Sequence, residues 1–313
     1  MLAAQLDGYG GANALVTVAD AAKPGIDAEQ VLVEVHAAGV NPFDWKVREG
    51  MAKQMAELTF PGAVLGGDLS GTVVQVGAEV SGVKVGDEVY GQAGALSSHG
   101  SFAEFAPAAA GSIGPKPKNL DFTAAGAIPL AGVSAYQALI ETLQLASGQK
   151  ILIHGGAGGI GTAAIQLAKH LGAHVATTVS AGGVDYVKRL GADEVIDYEK
   201  QSFKDELSGY DAVFDTVGGD VFAQSFGVLK PGGAIVSMNA QPDPELDKKY
   251  QVTSHSQFTQ VTTQRLAELT KLIEAGVITI HIDRILPLSE ASEALEYVKT
   301  GRPKGKVVIK VRD

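Results

Sequence analysis

The stretch Ile151–Gly161, ILIHGGAGGIG, constrains this chain more than any other. Before it, Lys150–His154 (KILIH) is a short apolar run of strand type. After it, Gly159–Leu171 (GIGTAAIQLAKHL) spaces its apolar residues as a helix does, with Ile160, Ala164, Leu167 and Leu171 expected on one face. Between them Gly156, Gly158 and Gly161 stand in G-x-G-x-x-G spacing. In a chain with 39 glycines the spacing alone carries little weight. A strand leading in and a helix leading out give it meaning, because such a turn brings backbone N–H groups up to a pyrophosphate at a helix N-terminus. The candidate phosphate contacts are Gly156, Gly158, Gly159, Ile160 and Gly161. The competing reading is a glycine-rich turn with no ligand.

Alternation continues downstream. His174–Val179, Glu194–Asp197, Ala212–Asp215 and Ala234–Ser237 read as strands, with helices at Val184–Leu190 and Val221–Leu229. Strand and helix in turn predict a parallel sheet flanked by helices. Residues 1–120 have a different texture. Gln30–Ala37 (QVLVEVHA), Leu69–Val76 (LSGTVVQV) and Lys84–Tyr90 (KVGDEVY) are short strand-like runs with turns between them, the pattern of a small barrel. The tail predicts a helix at Thr262–Ala275, a strand at Ile282–Leu286, a helix at Ser289–Lys299 and a strand at Lys306–Val311. The polar, proline-containing Gln241–Lys249 reads as a loop.

Composition narrows the function. The 313 residues carry a formal charge of −10 and show no basic stripe, which argues against a nucleic-acid partner. The chain has no cysteine, so disulfides and zinc–thiolate sites are excluded. Phe122–Ile140 is uncharged but is interrupted by Gly126, Pro129, Gly132, Ser134 and Gln137. It reads as a buried junction rather than a membrane span. Met1–Val18 lacks the basic start and apolar core of a secretory leader, and a cytoplasmic protein is expected. His170 and His174 fall on either side of the Leu171–Gly172 helix end, so no metal pair is expected.

The end of the second strand of such a sheet separates the two nicotinamide dinucleotides, because an acidic residue there binds the ribose 2′-hydroxyl. Here the strand runs into Ser180, followed by Ala181, Gly182 and Gly183, with no carboxylate before Asp185. Ser180 can donate a hydrogen bond to a 2′-phosphate. Tyr198, after the third strand, either adds a second hydroxyl or is an ordinary surface tyrosine. Lys188 and Arg189 add charge only if their helix turns them that way. NADP(H) is therefore the expected cofactor.

These features, in this order, resemble the medium-chain dehydrogenase/reductase superfamily. The resemblance covers almost the whole chain: Ala38–Arg48 (AGVNPFDWKVR), Pro61–Gly71 (PGAVLGGDLSG), Val85–Tyr90 (VGDEVY), Ala131–Leu139 (AGVSAYQAL), the glycine loop, Leu190–Tyr198 (LGADEVIDY) and Gly305–Val311 (GKVVIKV). Zinc alcohol dehydrogenases of the superfamily have a cysteine where this chain has Asn41, and a His-Glu pair where it has Gly67 and Asp68. The chain is thus similar to the zinc-independent quinone oxidoreductase and enone (alkenal) reductase branch. The resemblance implies an α/β fold. A Rossmann NADP-binding domain would span residues 124–276. A GroES-like β-barrel catalytic domain would be built from residues 1–123 and 277–313. It also implies a homodimer or homotetramer.

The expected reaction is NADPH-dependent reduction of a quinone or an α,β-unsaturated carbonyl. Negative charge then develops on a carbonyl oxygen, and without a metal hydrogen-bond donors must stabilise it. Asn41–Lys46 supplies candidates. Lys46 either orients the nicotinamide ribose or polarises the carbonyl, or it is a solvated surface lysine. Asn41 holds cofactor or substrate by its amide, or is a turn residue before Pro42. Asp44 orients Lys46 or caps a helix. By resemblance, Ser134 and Lys306 lie near the cofactor, and Val217 follows a strand end of the parallel sheet, where ligands gather, with a contact expected through its backbone. The alternative function is a catalytically weak crystallin-like, RNA-binding or interaction protein that keeps the NADP site.

Overall fold

Alternating strands and helices from residue 150 onward produce the expected layer. The computed structural model describes residues 1–55, 58–94 and 96–312. They divide into two units: Met1–Leu130 with Val261–Ala275 and the chain from Ile280, and Ala131–Gln260 with Gly276–Thr279.

In the second unit six strands form a sheet in the spatial order Glu194–Asp197, His174–Val179, Lys150–His154, Tyr210–Asp215, Leu229–Ser237 and Thr253–Ser256. Every pairing is parallel. Chain order reverses between Lys150–His154 and Tyr210–Asp215, the topological switch point where open α/β sheets bind ligands. Leu152, Val213 and Ile235 pack with Phe222 and Phe226. Fully burying each such side chain contributes about 1.5–3 kcal/mol, which fixes the strand ends that the loops extend.

Two elements depart from the sequence expectation here. Gln241–Lys249 is not all loop: Pro244–Tyr250 is helical, started by Asp243, whose carboxylate accepts from the Glu245 and Leu246 N–H groups, with Pro244 at the first position. Leu229–Ser237 is one strand, so the helix expected to run to Leu229 stops at Ser225 and gives way to a single 3₁₀ turn.

The first unit is mostly antiparallel. The strand Gln30–Val40 is long enough to take two partners along one edge, with Phe105–Ala109 pairing its first half and Lys306–Lys310 its second. Asp68–Val76 pairs its other edge, followed by Glu88–Gln92 and Ile113–Pro115. The expected strand Lys84–Tyr90 begins only at Glu88, because the Lys84 N–H closes a turn on the Asp87 carboxylate. Phe122–Ala127 and Pro129–Tyr136 are separate helices in the uncharged junction segment, and among the described residues no helix is long and apolar enough to cross a membrane.

The unit boundaries differ from residues 123 and 277. Phe122–Ala127 lies against the long strand so closely that a Cβ on Gly39 would meet the Gly126 carbonyl oxygen at 2.5 Å. Thr263–Glu274 also belongs to the first unit. The Tyr90 hydroxyl donates to the Leu266 carbonyl at 2.7 Å, and Thr263 Oγ1 donates to that of Ile113 at 2.7 Å.

Candidate functional site

The glycine loop follows the strand Lys150–His154 and opens the helix Gly159–His170. Its three spaced glycines have different reasons to be glycine. A Cβ on Gly156 would stand 2.0 Å from Thr177 Oγ1, and one on Gly161 would stand 2.3 Å from the Gly155 carbonyl oxygen. A Cβ on Gly158 meets nothing closer than 3.4 Å. Packing therefore requires the first and third, while a Cβ on Gly158 would make only an ordinary contact with the Gly155 carbonyl oxygen. The first intrahelical bond runs from Thr162 N–H to the Gly158 carbonyl, so the N–H groups of Gly159, Ile160 and Gly161 precede the helical ladder. This is a cradle a phosphate fits. The helix buries Gly161, Ala164, Ile165, Leu167 and Ala168; Ile160 and Leu171, expected on the buried face, are only half-buried.

His154 supports the loop from below. Its Nδ1 pairs with Thr178 Oγ1 at 3.0 Å and its Nε2 with Ser225 Oγ at 2.9 Å. Burial pushes its imidazole down to about 4, with the Asp215 charge acting against that. His174, beyond the end of this helix, lies beside Glu194 at 2.6 Å.

At the switch point Asp215 is fully buried and collects the loop around Val217. Its carboxylate accepts from the Val217 N–H at 2.9 Å, the Gly218 N–H at 3.0 Å and Ser237 Oγ at 2.6 Å. Val217 thus follows the strand end with its N–H already engaged and its side chain exposed. Ser134 is buried inside its helix, with its hydroxyl 2.6 Å from Thr259 Oγ1. Ser180 ends the second strand half-buried, and Tyr198 is exposed beyond the third. The residue that sequence reasoning missed here is Glu199, whose Oε2 accepts from the Ala181 N–H at 3.3 Å. A search for an acid along the second strand stops before it reaches the third.

In the first unit the expected catalytic segment forms the helix Pro42–Arg48, with Asn41 as its N-cap. Asp44 accepts from the Asn41 N–H at 2.7 Å, so of its two expected roles the structure displays the cap. The Asn41 amide is engaged at both ends: Nδ2 donates to Asp68 Oδ2 at 2.9 Å, and Oδ1 accepts from Lys306 Nζ at 2.5 Å. Lys306 also donates to the Val40 carbonyl and lies 3.7 Å from the Asp68 carboxylate, which further accepts from Gln92 Nε2 and the Leu130 N–H. Asn41, Asp44, Asp68 and Lys306 are all buried. Lys46 is different. It is half-buried, its ammonium 5.9 Å from the Trp45 ring, and it makes no hydrogen bond or ion pair among the described residues. The helix that carries it is held by the fully buried Arg48, paired with Glu49 at 2.8 Å and Glu296 at 2.5 Å.

Burial pushes the Asp44 carboxyl up to about 7; the Asn41 N–H opposes this and the Asp68 charge adds to it. Burial likewise raises Asp68 and lowers Lys306. Between about pH 4 and pH 7 folded Asp44 holds a proton that the unfolded chain releases. Its contribution to stability is full below about pH 4 and is lost as pH rises through 7. His154, lowered, acts with the opposite sign: its contribution is full above about pH 6.5 and is lost as pH falls through 4. Urea unfolding from pH 4 to 8 is expected to show a smaller decline toward high pH in Asp44→Asn than in the parent chain. An unchanged slope would rule this assignment out.

Comparisons with known proteins match both parts of the chain. Residues 27–118 match the alcohol dehydrogenase GroES-like domain, and residues 190–309 match a family described as zinc-binding dehydrogenase. The chain is 39% identical over 310 residues to 2-methylene-furan-3-one reductase of Solanum lycopersicum, covering 96% of this chain and 76% of that protein. It is 36% identical over 310 residues to the chloroplastic NADPH-dependent alkenal/one oxidoreductase of Arabidopsis thaliana, covering 96% and 77%. Among solved structures, the quinone oxidoreductase from Coxiella burnetii superposes with a TM-score of 0.91 at 37% identity, covering 100% and 99% of the two chains.

The word zinc in the second family description meets a donor set that does not suit the ion. Where zinc relatives have ligands, this chain offers an amide already bonded at both ends, a glycine, and a carboxylate beside a lysine. Among the described residues no three His, Cys, Asp or Glu side chains gather to hold a metal. The cytoplasmic placement expected from the sequence is overturned: the Arabidopsis relative is named chloroplastic, as is a quinone-oxidoreductase homolog of Spinacia oleracea. The expectation rested on the residue pattern of Met1–Val18, which does not bear on organelles. With this fold, this loop and these relatives, the chain belongs to the medium-chain dehydrogenase/reductase superfamily and is an oxidoreductase of its quinone oxidoreductase and enone (alkenal) reductase branch.

Proposed function

We propose that the chain reduces quinones or α,β-unsaturated carbonyls with NADPH and without zinc. The observation that carries this reading is the glycine loop at the switch point, with the N–H groups of Gly159, Ile160 and Gly161 ahead of the ladder of a 12-residue helix. The names of the tomato and Arabidopsis relatives support the conjugated carbonyl as acceptor.

Of the five expected loop residues, Gly159, Ile160 and Gly161 hold the pyrophosphate through backbone N–H groups, while Gly156 and Gly158, whose N–H groups donate to the Thr178 and Gly155 carbonyls, shape the turn. Ser180 and Tyr198 offer hydroxyls to the 2′-phosphate. Ser134, Val217 and Lys306 serve the cofactor on its nicotinamide side, Ser134 and Lys306 by keeping their neighbours in place. NADPH, when bound, supplies the hydride. Lys46, whose ammonium makes no hydrogen bond or ion pair among the described residues, donates to the carbonyl oxygen as negative charge builds there. Asn41 and Asp44 fix the start of its helix, and the Arg48 ion pairs fix its end.

The test follows absorbance of the reduced nicotinamide with a quinone, an enone and a saturated ketone. Oxidation with the first two and little with the third is expected. NADPH binding without turnover of any acceptor would refute the enzyme reading. Lys46→Ala is expected to lower kcat roughly 100-fold, the usual effect of removing a donor to a developing oxyanion, while NADPH affinity changes little. Unchanged turnover removes Lys46 from the chemistry.

A further inference from the structure

Val179 at the end of the second strand stands opposite Asp197 at the end of the third. The Tyr198 N–H donates to the Val179 carbonyl at 3.1 Å, so the two segments leaving these strands lie side by side. On the second-strand side come Ser180 and Ala181. On the third-strand side Glu199 extends its carboxylate across to the Ala181 N–H at 3.3 Å, while its own N–H donates to Asp197 Oδ1 at 3.2 Å. Glu199 is exposed and makes no ion pair among the described residues. The neighbouring cation, Lys200, lies 3.2 Å from Asp197 Oδ2. Lys188 and Arg189 sit in the last turn of their helix, whose first turn carries a further acid, Asp185.

We propose that Glu199 sets the discrimination between NADPH and NADH, holding the chain well short of strict NADPH selectivity. This rests on the reading that the glycine loop and Ser180 receive a nicotinamide dinucleotide. In such a sheet the carboxylate that recognises an unphosphorylated ribose normally stands at the end of the second strand. Here the third strand delivers it to the same place. It accepts a hydrogen bond from a 2′-hydroxyl and repels a 2′-phosphate. It also occupies the Ala181 N–H, a donor the phosphate can use. To admit NADPH, Glu199 must release that N–H and turn outward, where its exposure leaves it room.

Dissociation constants for NADPH and NADH, measured on the full chain by nicotinamide fluorescence, test this in the parent, Glu199→Gln and Glu199→Lys at low and high ionic strength. NADPH is expected to bind Glu199→Gln about tenfold more tightly than the parent, the scale of one removed like-charge contact near a protein surface. NADH is expected to bind no more tightly, and Glu199→Lys extends the trend. The gap between parent and Glu199→Gln narrows as salt screens the repulsion, which a purely structural role for the carboxylate would not produce. If both dinucleotides bind and their affinity ratio is the same in parent and Glu199→Gln, the proposal is overturned. If the parent binds neither, the dinucleotide reading fails and this proposal with it.

Discussion

Asp68→Ala is expected to destabilise the first unit by roughly 3–5 kcal/mol, the cost of leaving one member of a buried ion pair without its partner. The carboxylate is fully buried and answers four groups at once: the Lys306 ammonium, the Asn41 and Gln92 amides and the Leu130 N–H. Removing it strands a buried lysine and three donors. The double variant Asp68→Leu, Lys306→Met, which removes both charges, is expected to recover much of the loss, since a buried pair often adds little over apolar residues that fill the same volume. Denaturant unfolding of Asp68→Leu, Lys306→Met and the double measures the coupling. A loss below about 1 kcal/mol in Asp68→Ala, the range of an exposed pair, would mean that the site is wetter than its burial indicates.

Gly161→Ala and Gly158→Ala are expected to fail in different ways. At Gly161 the added carbon stands 2.3 Å from a backbone oxygen and 2.6 Å from the Gly156 Cα, and neither can move without moving the loop. A cost of about 1–3 kcal/mol follows from such overpacking, together with loss of NADPH binding. At Gly158 the nearest atom is at 3.4 Å and φ is −75°, so the fold accepts alanine. Its stability should stay within about 1 kcal/mol of the parent, the range of unstrained glycine-to-alanine changes. NADPH affinity should nevertheless fall markedly, because the methyl group takes space the pyrophosphate needs. Thermal unfolding beside NADPH titration separates the two effects. Equal melting and equal affinity in Gly158→Ala would remove the loop from cofactor binding.

The legible parts of the fold were those where apolar spacing and glycine placement agree. The strand at 150–154, the loop and the helix at 159–170 are such a case, since each constrains the next. Polar elements were not legible. Thr253–Ser256 (TSHS) pairs along only one side, at the sheet edge, and needs no apolar alternation. Pro244–Tyr250 has its helix start written in Asp243 and Pro244, but that signal was submerged in a run of charge. The site divided in the same way. The glycines and Asn41–Lys46 stand in local motifs. The partners Asp68, Gln92 and Lys306 converge only through strand pairing, and Glu199 becomes relevant only once Val179 is known to face Asp197.

The pairing of Lys306–Lys310 with Ala37–Val40 also has a temporal side. Domains generally fold as units while the chain is still being made. Residues 131–260 form one nearly uninterrupted stretch, so the second unit can close on the ribosome as soon as that stretch has emerged. The first unit begins earlier and finishes later. Its oldest residues, Asn41 and Asp68 among them, leave the ribosome long before Lys306 exists, and they wait through most of synthesis for the cation that completes their network. A chain released before Lys306 is made would carry a finished second unit and a first unit that has the anion without its counter-charge.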